Sequence, residues 1–468
     1  MDFKLLIDGE LVNGASQRDI VNPATEAVIA ASPVADDSQL KAAVAAARRA
    51  QPSWAGLAIE QRAECLRSFA AAVAGHEADI ARLITLEVGR PIALSHFEVQ
   101  LVLKSCAYYS AQRLDPEVLL DDKNIKVAVH RVPIGVVAAI LPWNAPLYLA
   151  INKMAPALMA GNTIVLKPAP TTPLATLKLA ELASRIFPRG VVNVLADDND
   201  LGPALVRHPD IDKIAFTGSS ATGRQILAAA ASDLKRVTLE LSGNDAAIVL
   251  EDVDAKAVAP ALVFGAFFNS GQICAVIKRL YVHEAVHDAL CAEMAEVLAQ
   301  AVTGNGLDPG SHYGPIQNRE QFEKVKVFLE EARVTGRIIC GGGVPDRPGY
   351  FIEPTIVCDL EDGDRLVDEE PFGPILPVIR FDDIDDAVNR ANRSPYGLGA
   401  SVWSADPARA EAIGKRLDAG TVWINQHCAI DPAIPFPTSK QSGLGVEAGR
   451  EGLLEYTNIK VFNINTGG

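Results

Sequence analysis

The sequence predicts an α/β protein: a parallel sheet with helices on both faces, a second α/β unit behind it, and a small β element near the C-terminus. Three observations predict this. From residue 134 short apolar runs alternate with helical patterns, as β-α-β units require. The alternation restarts after Glu240-Leu241-Ser242-Gly243, which places a boundary near residue 242. Tyr456 to Asn463 has the β-branched and aromatic content of a strand, and such a strand is a natural edge for pairing with another subunit.

Taken in order, the first hundred residues read as a helical front end. Leu40, Ala43, Val44 and Ala47 recur at helical spacing before Pro52, and a second pattern runs from Ile59 to a stop at Gly89-Arg90-Pro91. Strands follow at Ile134–Leu141, Thr163–Leu166, Val191–Val194, Lys213–Phe216 and Arg236–Leu241. The clearest helix lies after Lys167, with Thr172 as N-cap, Pro173 at its first position and Pro188 just past its end. The second alternating region opens at Ala246–Leu250 and continues past residue 430. A sheet of this kind binds nucleotides at the carboxyl ends of its strands.

Composition excludes several classes. The 468 residues suffice for two or three domains, and a formal net charge of −15 with no basic run longer than Arg48-Arg49 argues against a nucleic-acid binder. The seven cysteines form no C-x-x-C pair and leave an odd one over, which fits free thiols in the cytoplasm. No stretch reaches a membrane span, because prolines, asparagines and Lys153 interrupt the longest apolar region, Val136 to Leu166. No metal is expected: the eight histidines are dispersed, and His283/His287 at i, i+4 lack further ligands.

Among the cysteines Cys274 stands apart. Phe267-Phe268-Asn269-Ser270-Gly271-Gln272-Ile273-Cys274 sets a glycine turn before the thiol, between a helical segment and the apolar run Val276–Val282, a way to present a side chain at the end of an element. Phe216-Thr217-Gly218-Ser219 closes a strand and opens a helix that Ser219 would cap, aiming backbone N–H groups at a pyrophosphate. Gly443-Leu444-Gly445-Val446-Glu447-Ala448-Gly449 has glycines at fingerprint-like spacing but follows no strand pattern, so it is set aside.

The run ending in Cys274 resembles the nucleophile motif of the aldehyde dehydrogenase superfamily. Five further motifs resemble the family's: Leu141-Pro142-Trp143-Asn144, Leu166-Lys167-Pro168, Phe216-Thr217-Gly218-Ser219 with Gly223, Leu239-Glu240-Leu241-Ser242-Gly243, and Glu370-Pro371-Phe372-Gly373-Pro374. A C-terminal run, Pro435-Phe436 through Lys440-Gln441-Ser442-Gly443, is similar less fully. The resemblance implies a Rossmann-like cofactor-binding domain (1–112 and 133–241), a catalytic domain (242–440) and an oligomerisation element (113–132 and 453–468) in a homodimer or homotetramer. It implies oxidation of an aldehyde, a small-molecule substrate, to the carboxylic acid with NAD, NADP being admitted. Cys274 would be the nucleophile, Asn144 the oxyanion donor beside the Cys274 backbone N–H, and Glu240 the base that hydrolyses the thioester. Lys167 would contact the adenosine ribose and Glu370 the nicotinamide ribose, with Trp143, Phe216, Gly218, Ser219, Gly223, Leu241 and Phe372 completing the cofactor site.

The chain also departs from the family pattern. Pro170 stands where NAD-preferring members often carry a glutamate, without supplying an arginine for a phosphate. Ala145 and Asn152 replace bulkier residues and open or polarise the substrate tunnel, which His427, Ile430 and Phe436 would also line. Pro437-Thr438 replaces a double glycine. Two rivals remain: a CoA-acylating enzyme, against which Glu240 argues, and a non-catalytic relative, against which Cys274, Asn144 and Glu240 together argue.

Overall fold

The computed structural model describes residues 2–467 and contains three principal sheets. In the first, five parallel strands run in the order Val192–Val194, Thr163–Lys167, Val136–Ile140, Lys213–Thr217, Arg236–Glu240. The chain starts at the middle strand, winds outward to one side, then crosses to the other. The order therefore reverses between Val136–Ile140 and Lys213–Thr217, and the loops leaving their carboxyl ends diverge to leave a crevice, the usual ligand position in such sheets. These five strands are almost wholly buried, which explains their continuous apolar runs. The short strand Gly443–Leu444 closes the edge antiparallel to Arg236–Glu240, so the glycine run that follows no strand pattern opens with a strand of its own.

The second sheet runs Arg337–Cys340, Thr355–Cys358, Ile375–Phe381, Ile277–His283, Asp245–Val249, Gly399–Trp403, Thr421–Ile424, parallel except for its first strand, with a separate apolar core on each face. Glu117–Asp121, Ile125–Pro133 and Thr457–Asn465 form a third, antiparallel sheet, with the last strand at one edge.

Four expectations are corrected. The front end is not all helix: its first 34 residues hold the hairpins Leu5–Ile7/Glu10–Val12 and Ser16–Val21/Val28–Val34. Asp8-Gly9, both at positive φ, makes the tight turn of the first hairpin. The first helix, Asp37–Ala55, also passes through Pro52. A helical proline costs roughly 3 kcal/mol. Trp54, two residues on, is buried with its indole N–H donating to the Leu158 carbonyl, and burying a tryptophan contributes about 4–6 kcal/mol by area. The burial outweighs the break. The pattern from Ile59 splits into Ile59–Ala74 and Glu77–Val88, separated at Gly75-His76.

The fourth correction concerns capping. The helix after Lys167 is Leu174–Ala183; Pro173 stands at its N-cap, and Thr172 does not cap it. The Leu174 and Ala175 N–H groups donate instead to the buried Glu87 carboxylate, at 2.7 and 2.9 Å. Glu98 serves the helix Pro146–Met159 in the same way, accepting from Leu147 and Tyr148 at 2.9 and 2.8 Å. Two front-end helices thus dock on the first sheet by feeding carboxylates into positive helix ends. Glu87→Ala strands two buried donors and is expected to lower unfolding free energy by about 1–3 kcal/mol in urea titration; a loss within error would show that the cap contributes nothing.

Candidate active site

Along the rim of the first sheet, adjacent strands deliver the motif residues side by side. Lys167 ends one strand, Trp143 and Asn144 follow the next, Phe216 to Ser219 the third, and Glu240 ends the fourth. Ser219 caps the helix Ser220–Ala230, its hydroxyl accepting from the Thr222 N–H at 3.2 Å, as expected. Gly223 on that helix lies against Leu241, where a Cβ would meet a leucine methyl at 2.5 Å, so the helix end can sit close to the strand. Lys167 is buried against Asp197, 2.6 Å away.

The second sheet contributes from its amino ends. After the helix Ala255–Phe267, Asn269, Ser270 and Gly271 adopt left-handed conformations in succession, which turns the chain sharply before Cys274 and the strand Ile277–His283. Two of the three are not glycine, and the strain is held by side chains. The Ser270 hydroxyl donates to the Gly314 carbonyl (2.9 Å), and Asn269 Nδ2 donates to the Asn144 carbonyl (3.2 Å). The Gln272 amide donates to the carbonyls of Asn269 and Pro315, while its oxygen accepts from the Gln317 N–H. Gly271 is required twice over: φ is +73°, and a Cβ would come within 2.6 Å of the Gly373 carbonyl carbon.

Asn144 Nδ2 donates to the Gln272 carbonyl at 2.9 Å, which uses one of its two N–H bonds and leaves the other for an oxyanion. Glu240 is buried, and neither carboxylate oxygen has a protein hydrogen-bond partner among the described residues. Burial, then the nearby Glu447 charge, pushes its pKa up to about 7, with the Cys274 thiol and then Lys153 opposing. Burial and the Glu240 charge raise the Cys274 thiol well above its ordinary value, with Lys278 opposing.

Several residues here went unnoticed in the sequence. Lys278 is buried; it reaches the Cys274 carbonyl and pairs with Glu370 at 2.9 Å. Lys153 and Glu447 form a buried ion pair, with Thr217 accepting from Lys153 (2.6 Å) and Asn152 donating to Glu447 (2.8 Å). The missed signal is a lysine next to an apolar run, Ala275-Val276-Ile277 before Lys278 or Met154–Leu158 after Lys153, because a buried ammonium requires a partner.

The other candidates fall as follows. Trp143 meets the Phe372 ring edge-on at 5.4 Å, so both stand at the crevice. Ala145 precedes the helix Pro146–Met159 and is half-buried, as are Ile430 and Phe436. Phe436 packs with Cys274 and Cys428 around Ala275, Leu398 and Trp423. Asn152 turns to Glu447, and His427 is buried with Nδ1 2.9 Å from the Ser401 hydroxyl.

The aldehyde dehydrogenase family profile matches residues 11–462. The chain is 40% identical to a phenylacetaldehyde dehydrogenase of Pseudomonas fluorescens over 98% of this chain and 95% of that one. Betaine aldehyde dehydrogenase of Staphylococcus aureus, solved in complex with NAD+, superposes with a TM-score of 0.96 at 32% identity, covering 100% and 96% of the two chains. An NADP-dependent enzyme of E. coli does so with a TM-score of 0.96 at 36% identity, covering 99% and 98%. The chain belongs to the aldehyde dehydrogenase family. It is accordingly an oxidoreductase that oxidises an aldehyde with NAD(P). No described helix is long and apolar enough to cross a membrane.

Gly271→Ala is expected to lower kcat about 10²-fold or more by displacing Cys274, since a shift near 1 Å can cost that much. Steady-state kinetics on folded protein checks this; near-parental turnover would show that the turn tolerates a side chain.

Proposed function

We propose that Cys274 attacks the aldehyde, that Asn144 and the Cys274 backbone N–H hold the resulting oxyanion, and that Glu240 activates the water that releases the acid. The observation that carries this reading is the Glu240 carboxylate, buried beside the Cys274 thiol with a pKa of about 7. At neutral pH such a group can take a proton from water as the thioester is cleaved. The Lys153–Glu447 pair tunes it: the carboxylate favours the protonated form and the ammonium the ionised one.

The crevice fits a dinucleotide. Its pyrophosphate would lie at the Ser219-capped helix end, where Gly218 and Gly223 allow close approach, with Trp143, Phe216, Leu241 and Phe372 beside it. Lys167 and Glu370 would take the two riboses. When bound, the cofactor accepts the hydride released as the thiohemiacetal becomes a thioester. NAD is the expected cofactor with NADP admitted, since Pro170 removes an obstacle to a phosphate while the Lys167 charge is already met by Asp197.

Ala145, Ile430 and Phe436 line the approach to Cys274, and the small side chain at 145 leaves room for a bulky aldehyde. We assign residues 1–112 and 133–241 to cofactor binding, 242–440 to catalysis, and 113–132 with 453–468 to oligomerisation. Val118, Leu119, Leu120, Ile459 and Val461 on the third sheet are each more than half exposed, which supports a dimer or tetramer. Seven cysteines, all free, suit the cytoplasm.

Cys274→Ala is expected to abolish aldehyde oxidation while retaining cofactor binding by fluorescence titration; substantial turnover would remove Cys274 from the mechanism. Glu240→Gln, mixed with NAD and aldehyde, is expected to give a burst of up to about one NADH per site and then a steady rate lowered roughly 10²–10⁴-fold. The acyl group should map to Cys274 by mass spectrometry. Unimpaired turnover, or release only on adding CoA, would overturn the hydrolytic role.

The base is protonated, and so inactive, below its pKa. Thioester hydrolysis in the parent should therefore fall about tenfold per pH unit below roughly pH 7, measured by single turnover. A flat profile there would rule out Glu240 as the titrating base.

A further inference from the structure

Away from the cleft, in the apolar core on one face of the second sheet, three side chains of ligand type converge. His287 and Cys291 lie four residues apart on the helix Glu284–Ala299 and so share one face. Cys358 ends the strand Thr355–Cys358. Their exposures are 0%, 3% and 0%. Cys291 and Cys358 sulfurs lie 3.6 Å apart, Cys291 Sγ is 3.9 Å from both His287 nitrogens, and one donor atom from each of the three lies within 4.8 Å of the others. The sequence showed no partners for His287 beyond His283; the structure sets beside it Cys291, one helical turn onward, and Cys358, from a strand distant in sequence.

We propose that His287, Cys291 and Cys358 form a binding site for one zinc ion. Tetrahedral zinc with bonds of about 2.3 Å to sulfur and about 2.0–2.1 Å to nitrogen holds its ligand atoms about 3.5–3.8 Å apart. The two separations that involve Cys291, 3.6 and 3.9 Å, match those edges to within a few tenths of an ångström, and the His287–Cys358 separation, within 4.8 Å, closes by side-chain adjustment. A disulfide would need the sulfurs to close from 3.6 Å to about 2.05 Å, and it would give the imidazole no role.

Asp288 adds the expected support. Its carboxylate lies 3.0 Å from His287 Nδ1, the arrangement that holds a proton there and frees Nε2 for a metal, and its own exposure opens a short path from solvent. Binding forms two Zn–S bonds and one Zn–N bond, releases two thiol protons to water, and leaves a water molecule to fill the fourth position. Two thiolates neutralise the dication, so the buried site carries no net charge. It ties the helix to the strand and belongs to a different apolar cluster from Cys274, which makes its role structural.

The test uses the Cys274→Ala chain, in which the nucleophile cannot compete for metal, after treatment with a chelator. Zinc is titrated by calorimetry and cobalt(II) by absorbance. One equivalent per chain is expected, with a thiolate-to-cobalt charge-transfer band, tetrahedral d–d bands, and a Tm that rises with bound zinc. Cys291→Ser and Cys358→Ser should each abolish the charge-transfer band. Asp288→Asn, a surface change, should keep the band while weakening affinity about 10–100-fold.

Zinc should also shield Cys291 and Cys358 from alkylation in the otherwise unsubstituted chain, mapped by peptide mass, which covers the case of a serine variant that fails to fold. Absence of stoichiometric binding, a band that survives Cys291→Ser, alkylation indifferent to zinc, or recovery of the pair as a disulfide would overturn the site.

Discussion

The reciprocal bonding of Asn144 with the nucleophile turn is the joint on which the rest of the structure depends. Its side chain donates to the Gln272 carbonyl, and its own carbonyl accepts from Asn269. One asparagine at the carboxyl end of one sheet thereby sets the position of a turn at the amino end of another. Three consecutive left-handed residues would not hold without outside partners, and Asn144, Gly314, Pro315 and Gln317 supply them from several segments. The geometry in which Cys274 faces Glu240 is thus a property of the contact between sheets.

The same principle recurs beneath the site. Glu87 and Glu98, from two helices of the front end, cap the helices that start at Leu174 and Pro146. Burying these carboxylates is costly, and paired backbone N–H groups at a positive helix end offset the cost. Glu98 also pairs with Arg90, whose backbone lies against the Gly306 and Gly314 segment of the second unit. The front helices therefore brace both halves of the cleft.

Much of this was legible in the sequence because it depends on local pattern. The five buried strands show as apolar runs, and Ser219 shows as a cap because its partner is three residues away. Cys274, Glu240 and Asn144 stood out through motifs, each at an element end. What stayed hidden depends on distant partners. Thr172 is a sound cap on local grounds, but Glu87 occupies the role. Lys153 reads as an interruption until Glu447, nearly three hundred residues later, is brought beside it. The first hairpin was the exception, since Asp8-Gly9 announced it and the helical pattern after residue 37 overshadowed it.

The strand Gly443–Leu444 has a consequence for the order in which the protein can be made. It pairs with Arg236–Glu240 at Glu240 itself, and Glu447, three residues on, completes the charge balance around that base. Without this segment Glu240 would stand on an open sheet edge and Lys153 would lack its counter-ion. A growing chain that already carries Cys274 therefore waits for residues 443–447 before Glu240 is enclosed and its neighbouring charges are in place. A late-made stretch of chain, far in sequence from both side chains, thus completes their surroundings.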